Sequence, residues 1–371
     1  MNAQVRTMGF PGRYMQGPGA LAQLPQLLLE LGTRRAVLLA DATVRATLGG
    51  RMDAMFAEIP PPAPIVFGWL HFPGECNVAT IAALAEQAAA CDTVVALGGG
   101  KTIDTAKGIA RRLSARLVII PTIASNDSPT SRLIVLYDDT LRVAGIELLA
   151  RNPDVVLVDT AVIAQAPARF FAAGMGDALS KKFEAQQCHV AGGHNFYGTP
   201  SLPTARLLAD RCYEVILEFG AAALRQVEQE RCPNEAVERT IEATVLLSGV
   251  GFESGGLSLA HALVRGFSAH PVLGGFLHGE VVAFGTLVQL VAENRSNSEA
   301  TKYAAFTQRL GLPASFDWFG IEHMSAAELD EIARISCTAP YIANLRPAID
   351  KSGVRQALEV ADLIGRSAGN R

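Results

Sequence analysis

Four short apolar runs constrain this chain most, because each is stopped at once by Asp, Gly or Pro. Ala36–Ala40 (AVLLA) ends at Asp41, Thr93–Leu97 (TVVAL) at a glycine triplet, Leu117–Ile120 (LVII) at Pro121 and Val155–Val158 (VVLV) at Asp159. Runs this short and this uniformly apolar read as strands buried on both faces. Amphipathic segments such as Ile81–Ala90 and Ile103–Leu113 lie between them. Strands alternating with helices predict a parallel sheet in an α/β domain. Leu133–Tyr137 reads as one more strand, in a hairpin closing at Asp138-Asp139.

Beyond Pro167 the texture changes to long Ala-, Leu- and Glu-rich stretches. These predict helices over 177–191, 203–229, 233–251, 255–266, 279–294, 298–310, 326–336 and 351–366. The chain therefore reads as an α/β domain over 1–165 and an all-α domain over 166–371, with the active site expected in the cleft between them. A length of 371 residues suits two domains. An apolar content of 49% against 18% charged residues excludes a disordered chain. The formal charge of −4 argues against a polybasic nucleic-acid surface. The scarcity of charge fits a large interior partly buried between subunits, or simply a chain rich in Ala and Gly. No window reaches the roughly 18 consecutive apolar residues of a membrane span. Six scattered cysteines without a CxxC pair, and a first dozen residues without a signal-peptide core, make the cytoplasm the expectation.

Gly98-Gly99-Gly100-Lys101-Thr102 sits between a strand and a helix. Free N–H groups at the helix start, with glycines that admit close approach, suit a phosphate. A tight strand–helix turn would look the same. The Walker A pattern fails because Val95 stands where its first Gly belongs, and GxGxxG fails at Ile103. Asp41, at the end of an earlier strand, suits the 2′-hydroxyl of an adenosine ribose and would repel a 2′-phosphate, favouring NAD. It equally suits a helix cap. No GxSxG elbow occurs, since Ala260 follows Gly256-Leu257-Ser258-Leu259.

Asp177, His261 and His278 fall in Gly- and Ala-rich apolar contexts. A buried acid needs a partner, and one carboxylate with two imidazoles is a normal zinc set with a fourth position open. The alternative is a histidine hydrogen-bonded within a core.

Together the segments PGRYMQG (11–17), GGGKTIDTAK (98–107), PTIASNDSPTS (121–131), NPDVVLVDT (152–160), GMGDALSKKFEA (174–185), LSGVGFESGGLSLAHA (247–262) and HGEVVAFGTLVQLV (278–291) resemble the glycerol dehydrogenases. These belong to a superfamily that also holds iron-type alcohol dehydrogenases and dehydroquinate synthase. The resemblance runs in family order from about residue 10 to 365. It implies a Rossmann-like N-terminal domain and a helical, dehydroquinate synthase-like C-terminal domain. It also implies NAD, one zinc ion, a small alcohol or diol substrate and a homo-oligomer, often of eight subunits. By matching positions, Asp177, His261 and His278 would hold zinc, and Asp127 would contact the substrate hydroxyls. Gly98, Gly99, Gly100, Lys101, Thr102 and Asp104 would bind the dinucleotide diphosphate, Asp41 the ribose, and Thr122, Ser125, Ser131, Leu133 and Tyr137 would line the rest. The implied reaction is oxidation of glycerol or a related vicinal diol to the hydroxyketone by hydride transfer. A carbon–oxygen lyase that regenerates its NAD, and an inactive scaffold, are the competing readings. The first predicts no net NADH.

Two departures share a spacing. Iron-type relatives carry a further His ligand four residues after the Asp, where this chain has Lys181. The glycerol dehydrogenases it resembles usually have HNG where this chain has Val264-Arg265-Gly266. Lys181 follows Asp177, and Arg265 follows His261, by one helical turn. The pair predicts a pocket for an anionic hydroxy compound, such as a phosphorylated polyol, hydroxy acid or phosphonate. The bland alternative has both side chains reaching solvent, with Lys181 paired to Glu184.

Overall fold

The four apolar runs form the four inner strands of one parallel sheet. The structure, a computed structural model, describes residues 5–58, 65–138 and 142–369. Its strands are β1 (Arg13–Gly17), β2 (Arg35–Ala40), β3 (Val66–His71), β4 (Thr93–Gly98), β5 (Arg116–Pro121), β6 (Leu133–Tyr137), β7 (Val143–Leu148) and β8 (Val155–Asp159). Six of them pair in the order β1-β8-β5-β4-β2-β3, all parallel. The edge strands β1 and β3 went unread in the sequence. Each is partly exposed along its length, so neither carries the continuous apolar run of a doubly buried strand. β6 and β7 form the separate antiparallel hairpin. Asp139 of its expected turn lies outside the described residues.

Side-chain alternation along the strands splits the core. Val37, Leu39, Val94, Ala96 and Ile119 pack on the face covered by helices Val78–Gln87 and Gly100–Leu113. Leu38, Val95, Leu97, Val118 and Ile120 pack on the other, against Leu24–Glu30 and Ala42–Ala57. Leu39 pairs with Ala96, and Gly98 with Pro121. The register thereby sets Asp41, the Gly98–Gly100 turn and the loop after Pro121 side by side at the carboxyl edge, where ligands of open parallel sheets bind.

The remaining chain is helical: Ala168–Ala191, Pro203–Gln229, Glu235–Ile241, Ser248–Gly255, Leu259–Ala269, His278–Ala292, Asn297–Arg309, Ala326–Ser336 and Lys351–Ala368. The helix expected over 177–191 begins earlier, at Ala168. The expected break between 233–251 and 255–266 moves to Gly256–Ser258. Gly256 takes φ +97° there, a conformation that favours glycine. One turn of wider π winding, Glu242–Leu247, interrupts the preceding segment. No single helix among the described residues is long and apolar enough to cross a membrane. All six cysteines are free thiols.

Polar contacts tie the sheet to the helices. Gln16 Nε2 and Thr160 Oγ1 both donate to Glu238, at 2.8 and 2.5 Å. Buried Glu253 accepts from the Arg132 backbone and Nε at 3.0 Å each, and from Asn152 Nδ2 at 2.5 Å. Thr130 Oγ1 donates at 3.0 Å to Val245 O, in the π turn. Sequence reasoning missed Glu253, and its place within the quoted LSGVGFESGG segment was the only signal.

Candidate functional site

Helical spacing puts Asp177, Ser180, Lys181 and Glu184 on one face of the helix Ala168–Ala191, and that face is fully buried. Glu184 accepts the backbone N–H of Ser258 and of His261, at 2.9 and 3.0 Å, so it caps the start of the helix Leu259–Ala269. Its other oxygen lies 2.5 Å from His261 Nδ1. One carboxylate thus fixes both the helix and the imidazole on it. With Nδ1–H given to Glu184, His261 turns Nε2 toward Asp177 Oδ1, 3.4 Å away. His278, the first residue of its helix, brings Nε2 to 3.7 Å from the same oxygen. The three candidate ligand atoms lie within 4.8 Å of one another. The structure brings these three sequence candidates together.

Their spacing suits a divalent cation. Bonds of about 2.0–2.2 Å to tetrahedral zinc place ligand atoms roughly 3.3–3.5 Å apart. Asp177 Oδ2 is buried without a hydrogen-bond partner, an acceptor that a cation would satisfy. The Glu184–His261 contact has the form of a carboxylate that orients a metal-binding imidazole. Burial alone would lower the proton affinity of His261, but Glu184 outweighs it and raises the ring's basicity. Burial instead pushes His278 down.

Lys181 was expected to reach solvent or to serve an anionic substrate. It does neither. Its ammonium is buried, 2.5 Å from Asp177 Oδ1, 2.9 Å from Asp127 Oδ2 and 3.2 Å from His261 Nε2. Despite the cost of burial, Asp127 and Asp177 hold it charged, well above the usual lysine range. Its charge is therefore spent within the chain. Arg265 turns outward and donates to Thr338 O at 3.3 Å, so the expected second cation is not in this site.

Asp127 stands across from the helices, in the loop after β5. Its Oδ2 accepts from Lys181 and, at 3.3 Å, from Ser248 Oγ, the residue following the π turn. Burial and then Asp177 raise its carboxyl above the ordinary range.

The dinucleotide candidates gather at the carboxyl edge of the sheet. A Cβ on Gly99 would meet Ile123 Cδ1 at 2.7 Å, and one on Gly100 would meet Asn126 Nδ2 at 2.6 Å. The turn is therefore packed against side chains of the 121–126 loop, which would have to shift to admit a Cβ. Thr122 N donates to Gly98 O at 3.2 Å, and Thr102 is buried. Lys101 pairs with Glu75 at 2.6 Å, its ammonium 5.0 Å from the Tyr137 ring centroid. Asp41 accepts from Val44 N at 2.8 Å and caps the helix Ala42–Ala57. Asp104 points into the fold instead: it accepts from Ser128 Oγ at 2.6 Å, Val135 N at 2.9 Å and Lys107 Nζ at 3.0 Å. The buried Lys107 ammonium also holds Leu133 O at 2.6 Å and Ser131 Oγ at 3.4 Å. Ser125 is partly buried in the same loop. Asp104, Ser131 and Leu133 thus share one internal network that fixes the loop carrying Asp127. Lys107 is its centre, and sequence reasoning did not single it out.

Comparison with known proteins gives consistent results. The iron-containing alcohol dehydrogenase family matches residues 11–160. A glycerol dehydrogenase of Thermotoga maritima is 39% identical over 99% of both chains. A probable glycerol dehydrogenase of Sinorhizobium meliloti superimposes with a TM-score of 0.89 at 37% identity, over 98% of this chain and 99% of that one. Glycerol dehydrogenase of Schizosaccharomyces pombe gives 0.93 at 30% identity, over 99% and 93%.

Proposed function

The chain belongs to the glycerol dehydrogenase family, and on that premise we propose that it oxidises glycerol or a related vicinal diol to the hydroxyketone, with NAD as hydride acceptor. The observation that carries the site is the convergence of Asp177, His261 and His278 opposite Asp127. Residues 1–165 serve as the dinucleotide-binding half and 166–371 as the half that holds the cation.

Asp177, His261 and His278 would hold the metal, and the two imidazoles with one carboxylate suit zinc. When bound, the metal lowers the pKa of a hydroxyl oxygen and NAD takes up hydride. The chain's own residues do the positioning. Glu184 keeps the His261 tautomer and ring orientation fixed. Asp127, anchored by Ser248, accepts a hydrogen bond from a neighbouring substrate hydroxyl, which favours diols over simple alcohols. The Gly98–Gly100 turn offers backbone N–H groups at a helix start to the diphosphate. Asp41 accepts from the ribose hydroxyl and repels a 2′-phosphate. Six reduced thiols fit a cytoplasmic enzyme.

A substrate panel tests the activity. NADH absorbance should rise with glycerol and 1,2-diols, and stay low with phosphorylated polyols and hydroxy acids, since neither expected cation is free to meet an anion. Preference for an anionic substrate would overturn the assignment. No NADH with any alcohol would favour the lyase reading. Asp41→Gly tests the nucleotide side cleanly, because Gly replaces Asp as a helix cap at little cost. The variant should keep its Tm, bind NAD about tenfold more weakly and lose its preference over NADP. An unchanged preference would leave Asp41 only its capping role.

A further inference from the structure

The donor set that fits a metal already holds a cation of its own. We propose that Lys181 is an internal occupant of the metal position, so that a divalent ion binds only by displacing its ammonium from Asp177 and His261. The inference rests on the metal-site reading above and deepens it.

Geometry makes the two cations exclusive. An ion bonded to Asp177 Oδ1 and His261 Nε2 at about 2.0–2.1 Å cannot lie more than about 3.4 Å from Nζ, given its contacts of 2.5 and 3.2 Å to those two atoms. Two positive charges at that separation in a buried site repel strongly. The side chain has no exposed surface through which to shed its charge to water. It does have a second place to go: Asp127 Oδ2, 2.9 Å away on the loop after β5. Ser180 on the same face donates back to Asp177 O at 2.8 Å and leaves the carboxylate free. The ammonium therefore does for Asp177 what a metal would do, neutralising a buried carboxylate, while leaving Oδ2 unpartnered and His278 without a close contact to it. The site is thus folded and neutralised before any metal arrives, and metal affinity is set by the loss of the Lys181–Asp177 pair.

The arrangement separates metal binding from stability in a measurable way. Purified protein is stripped with a chelator, and zinc is titrated by calorimetry into wild type, Lys181→Thr and Lys181→Met. Wild type should keep its Tm when stripped and bind zinc weakly. Both variants should bind one equivalent at least 100-fold more tightly. They should also lose Tm when stripped and regain it with zinc, because Asp177 is then unpaired until metal is present. Equal affinities within threefold, or one tightly held equivalent in wild type, would overturn the proposal. Cobalt(II) titration of wild type needs no variant. Its visible ligand-field bands should saturate only with cobalt in large excess, and saturation at one equivalent would refute the internal occupant. Absence of polyol oxidation together with the affinity difference would remove the functional reading and keep this one. Activity with equal affinities would do the reverse.

Discussion

Asp177→Ala is expected to lower kcat/KM for glycerol by at least about 10³-fold and to destabilise the fold by about 3 kcal/mol. Among the described residues, Asp177 is the carboxylate paired with Lys181, His261 and His278 together. Its carboxyl is held well below the usual range: burial opposes this, but Lys181 and His261 overcome it. The carboxylate is thus charged at every working pH, and both cation types depend on it. Removing it strands a lysine with no solvent exposure on one remaining carboxylate, Asp127. Leaving one member of a buried ion pair unmatched is the costly case, whereas exposed pairs matter little. Steady-state kinetics with NADH detection and urea denaturation measure the two effects separately. Added zinc should not rescue the variant, since His261 and His278 alone make a poor site. A variant within tenfold of wild type would reduce Asp177 to a structural role.

How much of this was legible in the sequence follows from burial. β2, β4, β5 and β8 are covered on both faces, so each prints an uninterrupted apolar run, and each was read within one or two residues of its ends. RYMQG of β1 and VFGWLH of β3 lie at the sheet edges, where half-exposed positions admit polar residues and blur the run. Asp177, His261 and His278 could be named because the quoted segments carried them, but their approach to within 4.8 Å is a property of three packed helices. Lys181 and Arg265 show where spacing alone stops. Each stands one turn after a candidate ligand. Lys181 faces the loop after β5, where Asp127 draws its ammonium inward. Arg265 faces the end of the helix Ala326–Ser336 and bonds Thr338 O. Identical spacing gave opposite outcomes because the decisive partners are far away in sequence.

Gly279→Ala should couple packing to chemistry, with activity falling about 100-fold and stability by about 1–3 kcal/mol. A Cβ at Gly279 would overlap the carbonyl oxygen of Ala173, and one at Gly176 would overlap that of Gly279. The helices Ala168–Ala191 and His278–Ala292 thus touch backbone to backbone through these two glycines. Asp177 follows Gly176 and His278 precedes Gly279. The glycine contact therefore sets the 3.7 Å separation of His278 Nε2 from Asp177 Oδ1. Adding one methyl must drive the helices apart, and misplacement by about 1 Å costs on the order of 10²-fold in rate. Gly365→Ala supplies the comparison. It creates the same kind of overlap, with the carbonyl of Ala314, between helix Lys351–Ala368 and the chain after Asn297–Arg309. That variant should lose similar stability while keeping kcat within about threefold. The site's sensitivity would then lie in the Gly176–Gly279 contact itself, and equal activity losses in the two variants would show that general loosening accounts for both.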